Sequence, residues 1–257
     1  MQHLILKTKK EVFSRQSGLF SSKKGGEGYD FLDLAEYDYQ SDAKRIDWKS
    51  YAKTGRLYTK IYQEEFLKNI LIIPILSGSL HFGKRRLKSE ILFETLGLIA
   101  FSALREGAKL KILDNFFDNI HQLQLFLLSL ARQNLIGERD SLDEKLFYRF
   151  GEKHLTIVIS DFLEFTNLSL FAARDDVVAI IIKERFDAAC EAELVDNQTL
   201  KKLPYNLTKS SLAGYRKNME KILLRQKEHF FRHKIDFIEV GEDDNIFQKL
   251  YIFFKER

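Results

Sequence analysis

The chain has 257 residues, of which 45% are hydrophobic and 30% charged, with a formal net charge of +4. That suits one large folded domain, or one domain with a substantial appendage, and excludes predominant disorder. Two prolines, Pro74 and Pro204, exclude Pro-rich or collagen-like structure, and a single cysteine, Cys190, excludes an internal disulfide and a Cys-based zinc site.

The charge excess lies in the first 60 residues, which hold 12 Lys+Arg against 8 Asp+Glu; the rest balances at 29 against 29. No dense basic stripe with interleaved aromatics occurs, so nucleic acid is not an expected partner. The opening MQHLILKTKKEVFSR has three apolar residues in a row, too few for a secretion signal. The longest apolar run, Ile70 to Leu76, is strand-sized, well short of the roughly 20 residues of a membrane span. A cytoplasmic protein without a membrane span is the expectation.

In chain order, residues 1–65 are turn-rich. Ser21 to Gly28 reads as a flexible hairpin or loop, with no strand before it to make its glycines a dinucleotide fingerprint. Arg56 to Gln63 alternates Leu57, Thr59 and Ile61 with Tyr58, Lys60 and Tyr62, the period of a strand. From residue 66 strands and helices alternate. Asn69 to Leu76 is a strand buried on both faces, broken by Ser77-Gly78-Ser79. Residues 87–106 predict a helix closed by Gly107. A short strand over Leu110–Leu113 and a helix over Ile120–Arg132 come next. Then follow buried strands over His154–Ser160 and Val177–Ile182. A long helix over 212–234, a strand over Ile235–Val240 and a helix over 244–255 complete the pattern.

This order predicts an α/β fold, a mostly parallel sheet flanked by helices. Residues 1–65 form a β-containing segment packed on a main domain of residues 66–257. Phe31, Leu32, Leu34, Tyr37, Trp48, Tyr51 and Leu57 supply its apolar side chains, and Trp48 is expected to be buried. In such sheets ligands gather at the carboxyl ends of the strands, which points to Ser77-Gly78-Ser79 and Asp161-Phe162.

Other constellations carry little chemistry. His229 and His233 share a helix face, but zinc needs a third ligand and none is in pattern; a solvent-facing helix is the expectation. Asp114 and Asp118 read as a loop and helix start. Cys190 reads as a small apolar residue. Ser77 and Ser79 do not sit in a Gly-x-Ser-x-Gly elbow, and no P-loop or kinase motif occurs.

Three segments together resemble a known family: Gly26-Glu-Gly-Tyr-Asp-Phe-Leu-Asp-Leu-Ala-Glu-Tyr37, Asp42-Ala-Lys-Arg-Ile-Asp-Trp48 and Ala52-Lys-Thr-Gly-Arg-Leu57. They resemble the bacterial domain-of-unknown-function family fifty-eight, often found beside MoxR-type AAA ATPases. Gln40, Ser41 and Lys44 depart from its usual Gly, Asp and Arg. The resemblance implies a von Willebrand factor A-like (Rossmann-like) fold. It also implies a divalent ion at Asp-x-Ser-x-Ser, a second-loop Thr and a later Asp. Here the first motif reads Ile75-Leu76-Ser77-Gly78-Ser79, with Ile75 in place of the acid, and no threonine lies between Thr95 and Thr156. Ser77, Ser79 and Asp161 alone keep their places, so Mg²⁺ and other cofactors are not expected.

The resemblance implies a non-enzymatic interaction module, an adaptor working with a MoxR-type AAA ATPase on client proteins. Lys44, Arg45, Asp47, Trp48 and Arg56 are its candidate partner contacts, the four charged ones with a competing structural role beside the indole. The alternative is an anion- or small-ligand-binding domain using the Ser77-Ser79 loop with Lys84, Arg85 and Arg86. These three and Lys88 otherwise form a solvated basic turn next to a helix N-terminus.

Overall fold

The computed structural model describes residues 2–15, 19–20, 25–37, 46–63, 69–81, 85–132, 153–183, 194–195, 202–203 and 209–257. Lys44, Arg45, Lys84 and Cys190, with the departures at Gln40 and Ser41, lie outside the described residues. The chain divides into two compact units: Phe20–Leu67, and Met1–Leu19 together with Lys68–Arg257. Residues 1–19 therefore go with the larger unit, unlike the expected division at 1–65 and 66–257.

The larger unit begins with helix α1 (Gln2–Ser14), which the sequence reading does not foresee. The smaller unit pairs strand β1 (Gly25–Glu36) antiparallel with β2 (Tyr58–Gln63), with register shifts around Phe31. Gly25 to Gly28 thus begin a paired strand, where a flexible hairpin or loop was expected. Between the strands lies α2 (Trp48–Thr54). Asp47 caps its start, accepting from the Lys49 N–H at 3.3 Å and the Ser50 hydroxyl at 2.6 Å, and Gly55 closes it at φ 68°. None of its residues is buried. Trp48 is 63% exposed, against the expected burial. Its ring stands at the first turn of a seven-residue helix with Tyr51 beside it, edge-on at 6.1 Å. Leu34, Tyr37 and Leu57 are half-buried and Tyr51 exposed.

The larger unit continues with β3 (Asn69–Pro74), a 3-10 turn at Gly78–His81, α3 (Lys88–Arg105), β4 (Lys109–Ile112) and β5 (Asn115–Phe117). Next come α4 (Ile120–Leu130), β6 (Leu155–Ser160), α5 (Ser169–Arg174) and β7 (Asp176–Ile182). The two-residue strands β8 (Leu194–Val195) and β9 (Lys202–Leu203) pair with each other. Helix α6 (Lys209–Arg232), β10 (Asp236–Val240) and α7 (Ile246–Glu256) complete the unit.

Six strands form one sheet in the order β10-β7-β6-β3-β4-β5, parallel except for β5. This is the doubly wound order of Rossmann-like sheets, with the chain reversing direction across the sheet at β3 and β6. The apolar runs of β3, β6 and β7 make the inner strands, as parallel strands covered on both faces require. Leu71, Ile73, Val158, Val177, Ala179 and Ile181 point to one face, where Phe171 and Phe230 pack; the alternating residues point to the other. β5 corrects the reading of 115–119 as loop and helix start: a tight turn at Leu113-Asp114, with Leu113 at φ 52°, folds Asn115–Phe117 back onto β4.

Helix α3 is buried nearly all round, from Lys88 to Ala103 with only Glu90 less covered. A helix apolar on every side must be covered on every side. Helix α1 supplies the missing cover with Ile5, Thr8 and Val12. The contact is close at Gly97, where an added Cβ would stand 2.8 Å from Thr8 Oγ1. The Thr8 hydroxyl is fixed by donation to the Ile5 carbonyl at 2.8 Å, and Arg105 donates to the Val12 carbonyl at 2.6 Å, satisfying the end of α1.

Candidate functional site

The candidate site lies where β3 and β6, hydrogen-bonded neighbours, end together. Their ladder runs from Ile70↔Leu155 to Pro74↔Ile159, and the Ile75 N–H extends it by donating to the Ile159 carbonyl at 2.9 Å. The loop after β3 and Asp161 after β6 therefore emerge side by side. Ile75, where the resemblance implies an acid, is buried in the apolar cluster with Phe162, Leu168 and Phe230.

The polar groups beyond it form one chain. The Ser77 and Ser79 hydroxyl oxygens are 2.6 Å apart, and Ser79 donates to Asp161 Oδ2 at 2.7 Å. The Lys88 ammonium donates to the same oxygen at 2.8 Å. The Lys88 and Asp161 side chains are 4% and 6% exposed. Lys88 is the first residue of α3, and a cation in the first helical turn opposes the helix dipole. Its pairing with Asp161 supplies the compensating charge. Lys88 is thus a buried member of the site, against its reading as part of a solvated basic turn.

Asp161 is held in place from behind. Phe162 adopts φ 48°, a left-handed conformation that costs a non-glycine residue about 1 kcal/mol or more. Its buried ring offsets this by packing edge-to-face on Phe230 at 5.3 Å, and its N–H donates to Ser160 Oγ at 3.2 Å. The loop that follows is clamped by α6. Gln226, fully buried, accepts from the Thr166 N–H at 2.8 Å and donates to the Thr166 carbonyl at 2.9 Å. His229 Nε2 accepts the Leu168 N–H at 3.1 Å. Burial, followed by the nearby charges of His233 and Arg232, holds the His229 imidazole below its usual range. His229 therefore has a structural partner, which corrects its reading as merely solvent-facing.

The two described anion candidates are engaged with acids. Arg86 pairs with the buried Glu94, and Arg85 meets Asp243 at 3.2 Å through its side chain and Glu242 at 3.2 Å through its N–H. In the smaller unit, Asp47 is the cap of α2, while Trp48 and Arg56 are exposed.

The donor set does not fit the divalent ion that the resemblance implies. Mg²⁺ asks for an octahedron of hard oxygens. Among the described residues, the site offers two hydroxyls and one carboxylate, with an ammonium already on that carboxylate.

Residues 33–122 match the family model described as "Protein of unknown function DUF58". The match supports the family resemblance over about a third of the chain and takes in α2, β3, Ser77, Ser79 and Lys88, but not Asp161. No curated protein and no solved structure matches the chain. No helix among the described residues is long and apolar enough to cross a membrane.

Proposed function

We propose that this protein is a non-enzymatic, cytoplasmic interaction module that docks other proteins through the exposed face of α2. The observation that carries the reading is the Trp48–Tyr51 pair. Both rings are exposed on a helix fixed by Asp47 and Gly55, flanked by the exposed Lys49, Lys53 and Arg56. Tryptophan, tyrosine and arginine are the side chains that most often dominate protein–protein binding energy. The family resemblance suggests a MoxR-type AAA ATPase as the partner and assembly or maturation of client proteins as the task. The doubly wound sheet, with Ser77, Ser79 and Asp161 at its carboxyl edge, supports a von Willebrand factor A-like reading of the larger unit. The carboxylate oxygen that accepts from Ser79 is already paired with the Lys88 ammonium, which supports a role without catalysis.

The test is a binding titration with a purified MoxR-type ATPase from the same genome. Trp48→Ala and Arg56→Ala should each weaken binding about tenfold or more, with unchanged thermal midpoints. No binding by the unaltered protein, or binding indifferent to both changes, would overturn the proposal.

A further inference from the structure

We propose that Lys88 is a tethered cation that takes the place of a divalent ion at the Ser77–Ser79–Asp161 site and excludes metal from it. Three facts converge. The ammonium sits 2.8 Å from Asp161 Oδ2, the oxygen that also accepts from Ser79. Lysine and aspartate are both almost fully withdrawn from water, so each is the other's main charge compensation. Lys88 joins the start of α3 to the loop after β3 and the end of β6, the two elements whose Ser77, Ser79 and Asp161 the resemblance would give to an ion.

The exchange has a chemical logic. A divalent ion on one carboxylate and two hydroxyls keeps an uncompensated positive charge and is held only weakly, so a tethered ammonium on the same oxygen displaces it. A single ammonium on a single carboxylate is neutral, and its stem is covalently part of the chain, so no ion has to be captured from solution. Ile75 fits the same change: the position that would carry a second carboxylate is packed in the apolar cluster. The site thus keeps the joining role of a metal centre while depending on no metal, and binding by this protein should be indifferent to chelators.

The experiment titrates Mn²⁺ and Mg²⁺ into the full chain, following heat and thermal midpoint in four proteins: unaltered, Lys88→Ala, Asp161→Asn and Lys88→Met/Asp161→Asn. The unaltered protein should give no saturable, stoichiometric heat. Lys88→Ala leaves a vacated, buried carboxylate, and Mn²⁺ should raise its midpoint by roughly 3–6 °C at ten times the dissociation constant. Neither variant lacking the carboxylate should respond. If Lys88→Ala folds only with Mn²⁺ present, that rescue is itself the expected result. Stoichiometric metal binding by the unaltered protein would overturn the proposal. So would a Lys88→Ala protein that ignores Mn²⁺, or one that fails to fold with or without it while Lys88→Met/Asp161→Asn folds.

Discussion

The end of β6 and helix α2 invert the usual distribution of side chains. In the larger unit a lysine and an aspartate are buried together; in the smaller unit the only tryptophan of the chain stands in water. Lysine and aspartate are almost never fully buried unless paired, and tryptophan is highly buried on average. The difference teaches where each residue's partner lies. Lys88 and Asp161 complete each other inside the protein, whereas Trp48 meets the edge of Tyr51 and leaves most of its surface exposed.

The largest effect should come from splitting the buried pair. Asp161→Ala leaves the Lys88 ammonium buried and alone, and should cost about 3–5 kcal/mol in urea unfolding. Lys88→Met/Asp161→Asn, which removes both charges, should cost much less. Equal losses in the two proteins would break the comparison at its first half.

A smaller effect tests how tightly the rest of the larger unit is packed. Gly97→Ala brings a methyl against Thr8 Oγ1 and should destabilise by about 1–3 kcal/mol, offset in part by alanine's helix preference of about 1 kcal/mol. In a Thr8→Ala background the same change should turn neutral or stabilising by chemical denaturation.

The loop behind Asp161 should report pH. The neutral His229 accepts the Leu168 N–H, and its folded pKa lies below the unfolded value of about 6.5. The unfolded chain therefore binds the proton first. The stability this contact contributes is present above about pH 6.5 and is lost as pH falls from there through the folded value. Thermal midpoints between pH 7.5 and 5 should fall more steeply for the unaltered protein than for His229→Gln.

The smallest effect belongs to Trp48. Trp48→Ala should change stability by no more than about 0.5 kcal/mol, as for an exposed residue, in place of the 3–5 kcal/mol of a buried indole. Its fluorescence should be readily quenched by acrylamide. A shielded indole would erase the contrast between the two regions.

Much of the fold was legible because its inner strands are written as unbroken apolar runs. β3, β6 and β7 are buried on both faces, and no other placement suits such sequences. Helix α1 was illegible from its own residues, since only Ile5, Thr8 and Val12 face inward and one of these is a threonine. The signal lay in α3, whose apolar circumference demanded another layer. Of the site, Ser77, Ser79 and Asp161 could be named from the resemblance, and they do meet. Lys88 was hidden among Arg85 and Arg86, which look alike in sequence but pair with Asp243 and Glu94. Its mark was a cation at the wrong end of a helix. Trp48 misled because composition favours a buried indole, while α2 is capped at Asp47 and Gly55 with the indole on its outer side.

The docking of α1 on α3 makes the larger unit discontinuous: Thr8 and Gly97 are separated in the chain by the whole of Phe20–Leu67. On the ribosome α1 is made before α3, and the groove beside Gly97 does not exist until α3 has followed the entire smaller unit out. Helix α1 therefore settles late, since a long loop must close before its contacts are rewarded.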